Sequence, residues 1–285
     1  MVETTAPAAA PVRAREAAGS RLERYTFYLV IAAGCAIAIV LLIAPTVIVL
    51  ITSLTDGYSF RFPPQGYSLR WYQVLWTGSP DIIAAAVLSF KVALSATAIS
   101  VLLAGAAALG LARRRETWAR LLDSAFMSPL MLPPLALGLA LLALFNIIGE
   151  GLSMRTLVIG HVAITTPYIL RTTVASYLQS DPLMLESARC LGARPIFAFR
   201  TITLPMIMPG LAAGAFIAFM VSFDNVAISL FLSDARSEVL PIRLWAIIEA
   251  SLDVRAAAVS GVLIVGTLAV VLLMERVVGF TRYLR

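Results

Sequence analysis

Ser180–Gly210 reads SDPLMLESARCLGARPIFAFRTITLPMIMPG and is a long polar interruption between two strongly apolar segments. Asp181-Pro182 has the form of a helix start: an N-cap acceptor, then a proline at the first helical position, where no donor is lost. Gly192 reads as the stop, because the left-handed residue that ends a helix is easiest without a Cβ. Pro195 is placed to open a second short helix, and Pro205 and Pro209 to mark entry into the next apolar segment. The stretch therefore predicts two short helices joined at a glycine, projecting from a membrane surface. On the first of them, Met184, Ala188 and Leu191 form one apolar stripe, while Glu186 and Arg189 face elsewhere. Spacing alone leaves two uses for that stripe: the groove of a partner protein, or a rest on lipid headgroups.

Working outward, composition puts the flanking segments in a bilayer. The chain of 285 residues is 60% hydrophobic and 13% charged, with a mean hydropathy of +0.91. Water-soluble domains carry about a quarter charged residues, so this is an integral membrane protein. Six apolar stretches reach the ~20 residues that a helix needs to cross a bilayer core. They lie near Phe27–Ser53, Ile82–Leu111, Leu121–Ile148, Thr156–Tyr177, Met206–Leu232 and Ala256–Phe280. These runs are far too long for transmembrane strands, so the predicted fold is an all-α membrane protein of six transmembrane helices. Residues 1–24, whose first part is rich in alanine and proline, are expected to be a disordered cytoplasmic tail ahead of a membrane domain over 25–285. The first apolar run is too long and too far from Met1 for a cleavable signal.

Charge supplies the orientation. Fifteen arginines fall on the side that holds both termini and the Ser180–Gly210 loop, against six on the other side. That bias predicts cytoplasmic termini and a cytoplasmic loop. A net charge of +6 is then explained by helix ends and anionic headgroups of the lipid bilayer, and no nucleic-acid partner is implied. Cys35, within the first helix, and Cys190, in the loop, are too far apart in this topology to form a disulfide.

The remaining segments add expectations. Trp71, Tyr72 and Trp76 suit an interfacial stretch ahead of the second helix. The second helix itself is so rich in alanine, serine and glycine that it belongs at the packed centre. Pro129, Pro133 and Pro134 kink the third. In the fourth, His161 is the only histidine and has no second ligand at metal spacing, so it reads as a hydrogen-bonded packing residue; no metal or cofactor is expected. Gly210 and Gly214 open the fifth with a GxxxG contact spacing, and Val239–Ala250 reads as a short interfacial helix. There is no phosphate-binding GxxxxGK[ST] loop, nucleophile elbow, HExxH or CxxC pair, so no catalytic reading survives.

Two charges lie at membrane depth. Asp224, followed by Asn225, lies roughly 12 Å from the outer end of the fifth span, and Lys91 about 13 Å from that of the second. A carboxylate so placed costs about 2.5–3.5 kcal/mol on insertion scales and is a functional candidate by default. Either the two charges pair, or Asp224 and Asn225 face a path and offer a negative wall to a cationic solute.

Glu186-Ser187-Ala188, Gly192, Ile202 and Leu204-Pro205 resemble the EAA-x3-G-x9-I-x-LP signature of permease subunits of type I binding-protein-dependent ABC importers. Serine at 187 replaces the first of the two alanines. SLRWYQVLW (68–76), GHVAITTPYILRTT (160–173), SFDNVAISLFLS (222–233) and VLPIRLWAIIEASLD (239–253) are similar to the polyamine (spermidine/putrescine) branch. The resemblance implies a non-catalytic subunit of the bacterial inner membrane. Its coupling loop, 180–210, with Glu186, Ser187, Ala188, Gly192, Leu204 and Pro205, would dock on a separate cytoplasmic ABC ATPase dimer. It further implies a second, homologous permease as partner and a periplasmic solute-binding protein. A related cargo (ferric iron, an opine or an aminophosphonate) would change only what is carried. A secondary transporter would require internal repeats with interrupted helices, and none is seen.

Overall fold

In the computed structural model, which describes residues 12–278 apart from 115, 235, 236 and 252, helices follow one another along the chain, with a long connection between the first two. They are α1 (Val12–Ser53), α2 (Arg70–Gly78), α3 (Pro80–Leu111), α4 (Thr117–Met131), α5 (Pro134–Ile147) and α6 (Met154–Gln179). Then come α7 (Pro182–Cys190), α8 (Pro195–Ala198), a π-helical turn (Phe199–Thr203), α9 (Leu204–Phe223), α10 (Val226–Leu232), α11 (Leu240–Ser251) and α12 (Val254–Val278). Among the described residues, pairing of extended backbone is limited to two isolated bridges. Among the described residues, five helices are long and apolar enough to cross a membrane, or six if α4 and α5 are one broken span.

The centre is built by α3, α6 and α9, each packed on the other two. The small residues of α3 supply the fit: Ala85, Ala93, Ala96, Ala104 and Ala108 are buried, as are Ser89 and Ser100. A Cβ on Gly210 would run into the Thr172 carbonyl and Ser176 of α6, and one on Gly214 into Thr172 and Ile169. The GxxxG spacing therefore marks the α6–α9 seam, where backbones approach too closely for any side chain. Hydroxyls stitch the same layer. Ser100 and Thr165 share a 2.8 Å bond, and Thr166 donates to Ser100 at 3.1 Å. Such bonds contribute about 0.6 kcal/mol each in membrane bundles, so they set register more than they hold the helices together.

Outside this centre, α12 packs on α1, α2 and α11. Trp71 of α2 is buried against Val254 and Ala258 and donates from Nε1 to the Gly57 carbonyl at 3.0 Å. Tyr72 joins Ser53 through their hydroxyls at 2.7 Å. Of the aromatic trio only Trp76 is strongly exposed. The short helix expected at Val239–Ala250 is found as α11.

Four expectations need correcting. The helix begins at Val12, inside the stretch expected to be disordered; VRAREAAGSRLER is dominated by strong helix formers, which outweigh its polarity. Residues 1–11 and the end of the sixth predicted span, 279–280, lie outside the described residues. The third predicted span is two helices bent by 108°. Leu132 and Pro133 each precede a proline and take extended ψ values of 143° and 130°, as the clash with a following proline ring demands. The fifth predicted span also breaks, at Asp224-Asn225. Finally, the second short helix is not a separate one: Pro205 stands in the first turn of α9, at entry into the next apolar segment as expected, but no break precedes it. The chain is helical without interruption from Pro195 to Phe223.

Candidate functional site: the 180–210 loop and the broken helix

The loop is built as its residues prescribe. Asp181 caps α7 by accepting from the Leu183 amide at 2.9 Å, and Pro182 sits at the first helical position. At the other end, the Ala193 amide donates to the Ala188 carbonyl and the Gly192 amide to the Arg189 carbonyl, both at 3.0 Å. This pair of bonds is a Schellman closure, and it needs a left-handed residue at Gly192, where φ is +82°. Space plays no part, because a Cβ on Gly192 would meet nothing within 4 Å. The glycine of the signature is thus required by backbone conformation alone.

No residue of α7 is buried. Met184 and Leu191 of the predicted apolar stripe are 55% and 89% exposed, while Ala188 is half-buried. Leu183, Ile196 and Phe197 add to the uncovered apolar surface. Glu186 and Ser187 are exposed, and the Ser187 carbonyl takes the Leu191 amide at 3.0 Å. Behind α7 lies a cavity of about 180 Å³, which Glu186 shares with Arg113, Tyr177, Asp181, Arg189 and Met206. Arg113 closes it from the end of α3, donating to the Ser180 carbonyl at 3.3 Å with its guanidinium 4.8 Å from the Tyr177 ring centre.

Leu204-Pro205 has a different task from the one its position suggests. Proline at 205 can give no amide hydrogen to the carbonyl four residues back, and its ring crowds that carbonyl. The helix absorbs the misfit as a π turn: the Leu204 amide reaches Phe199, five residues back, a local widening that preserves continuity. Pro205 therefore shapes the joint between α8 and α9 without cutting it.

At the far end of α9 the chain does break. The Asp224 amide donates to Met220 at 3.1 Å and ends the helix, and Asn225 Oδ1 accepts from the Ile228 amide at 2.8 Å and starts α10. Asp224 is exposed and Asn225 half-buried. Lys91 is also exposed, beside Phe90 and Phe223 on the wall of an apolar cavity of about 590 Å³. Among the described residues no ion pair joins Lys91 to Asp224.

The lone histidine is hydrogen-bonded within the packing, as expected, and its partners lie on both sides of this break. His161 of α6 is 1% exposed. Its Nδ1 lies 2.7 Å from Ser222 Oγ on α9, and its Nε2 lies 3.2 Å from Ser229 Oγ on α10. The ring thus spans the break. The two serines are seven residues apart in the sequence, about two helical turns, on either side of Asp224-Asn225, but that spacing does not tell which helix they face. Among the described residues, no group of three or more His, Cys, Asp or Glu could hold a metal ion.

A family model described as "Binding-protein-dependent transport system inner membrane component" matches residues 96–284. The chain is 29% identical over 229 residues to the spermidine/putrescine transport system permease protein PotC of Haemophilus influenzae, covering 80% of this chain and 89% of that one. It is 31% identical over 217 residues to the putrescine transport system permease protein PotI of Escherichia coli, covering 72% and 75%. Among solved structures, a bacterial ABC transporter involved in the import of the acidic polysaccharide alginate superposes with a TM-score of 0.61. That match is at 14% identity over 90% of this chain and 96% of the other, which speaks for the fold alone.

Proposed function

This chain belongs to the family of binding-protein-dependent transport system inner membrane components, and from that premise we propose that it forms half of an ATP-driven import path for a small polyamine such as putrescine or spermidine. As a member of the family it is a non-catalytic, multi-pass subunit of the bacterial inner membrane. In the proposed assembly, α7 and its uncovered apolar residues dock on a cytoplasmic ATPase dimer, with Glu186, Ser187, Ala188 and Gly192 shaping the docking helix. Leu204 and Pro205 carry its movement into α9. A second, homologous permease completes the path in a heterodimer, and a periplasmic solute-binding protein delivers the cargo. The loop and both termini lie in the cytoplasm, as the arginine bias implies.

The observation that supports this reading best is the loop itself. Every apolar residue of α7 but Leu185 and Ala188 is exposed, and from Pro195 onward the loop is helically continuous with α9. An uncovered apolar surface on a short helix, joined by the Gly192 turn to a continuous helix, is what a groove-binding element presents. The polyamine assignment draws on the two relatives and on Asp224: a carboxylate on the path favours amines and disfavours anions. The coupling part is tested by Glu186→Lys and by Gly192→Val, with ATPase co-purification and solute uptake as readouts. Both variants should lose association or uptake; normal assembly and transport in both would sink the coupling role. The path is tested by Asp224→Asn, which should raise the KM for putrescine uptake; an unchanged KM would remove Asp224 from the path.

A further inference from the structure

We infer that His161 is the positioning residue of the Asp224 carboxylate: it ties together the two helices between which Asp224 sits and so fixes where that carboxylate stands. The inference rests on the reading of Asp224 as a residue of the path.

A helix interrupted for two residues has a joint. Within the break itself the link is slight: the Asn225 amide donates to the Ser222 carbonyl of α9 at a long 3.4 Å, and the Asn225 side chain caps α10. What surrounds α10 is mostly smooth. Gly160 of α6 admits Ile228 and Leu232, and Gly138 of α5 admits Phe231 and the Ala227 carbonyl, in both cases closer than a Cβ would allow. Such contacts seat α10 against α5 and α6, and among the described residues the side-chain hydrogen bond that joins α6 to α10 is that of His161.

His161 supplies the direction. One ring nitrogen meets a serine before the break and the other a serine after it. A neutral imidazole has one donor and one acceptor, and each serine hydroxyl can play either part, so both contacts are satisfied at once in either tautomer. The backbone that carries the ring is tied in turn, because the Thr165 hydroxyl bonds the His161 main-chain carbonyl at 2.8 Å and also meets Ser100 of α3. The chain of contacts thus runs from α3 through α6 to both sides of the joint. Rotating α10 against α9 pulls Ser229 or Ser222 away from a buried nitrogen that has no other partner.

A histidine that only filled space would change how much transporter assembles, and would leave the affinity of assembled transporter for a cation alone. The test is putrescine uptake by the whole transporter in vesicles, per assembled complex. The variants are His161→Gln, Ser229→Ala and Asp224→Asn, with His161→Gln and Ser229→Ala each also combined with Asp224→Asn. Positioning predicts that His161→Gln and Ser229→Ala each raise KM by about three- to ten-fold, in the lower part of the coupling between residues that share one network. Neither should raise KM further once Asp224 is already Asn. If His161→Gln fails to assemble, Ser229→Ala, which removes a single oxygen, carries the same comparison. An unchanged KM, or an equal rise with and without Asp224, overturns the positioning role and leaves Asp224 on the path. If Asp224→Asn itself does not move KM, the path reading has failed and the positioning role falls with it.

Discussion

Gly192 and Ser187 stand five residues apart in the same signature and make opposite demands. At φ +82° a residue with a Cβ carries a penalty of about 1–2 kcal/mol, and Asn tolerates the region best after glycine. Gly192→Asn should therefore keep most uptake, whereas Gly192→Val should unseat the end of α7 and reduce it severely; equal behaviour of the two would refute a conformational role. Ser187 is exposed, and what it contributes is a backbone carbonyl that any residue would supply. Ser187→Ala, which restores the family's usual residue, should leave stability within about 0.5 kcal/mol and transport unchanged, as thermal denaturation and uptake would check. Both roles could be read from the chain, because capping and left-handed turns are local. The part played by His161 could not, since it depends on which serines of a distant helix face the ring.

At the scale of elements, the apolar runs located the spans but not their joints. A hydropathy window averages across Asp224-Asn225 and across Leu132–Pro134, so each appears as part of one long segment. What interrupts them is stereochemistry at two or three residues: consecutive prolines in one case, and side chains that cap the backbone in the other. Pro205 misleads in the opposite sense, because a proline suggests a helix boundary and here a π turn absorbs it. Pro205→Ala should let the regular hydrogen-bond register return through Phe199–Thr203 and reorient α8 relative to α9. The expected result is normal assembly with fewer solutes moved per ATP hydrolysed, read from parallel uptake and ATPase assays. Gly214→Leu should behave differently. Its side chain has no space against Thr172 and Ile169, and overpacking of this kind costs about 1–3 kcal/mol or more, so assembly itself should fall.

For the whole molecule, topology is the claim that the two exposed cysteines can check. Cys190 closes α7 and Cys35 lies within the membrane span of α1. With the loop in the cytoplasm, a membrane-impermeant maleimide should label Cys190 in inverted vesicles and not in intact spheroplasts; the reverse pattern would turn the protein over. The unbroken helix from Pro195 to Phe223 has a mechanical consequence. Its 29 residues make a rod of about 43 Å, so a tilt of about 5° displaces one end against the other by about 4 Å. Helical bonding persists through the π turn at Pro205, so a push at the cytoplasmic end meets no gap in the helix along the way. The torque arrives at the first interruption it meets, and that interruption is Asp224-Asn225.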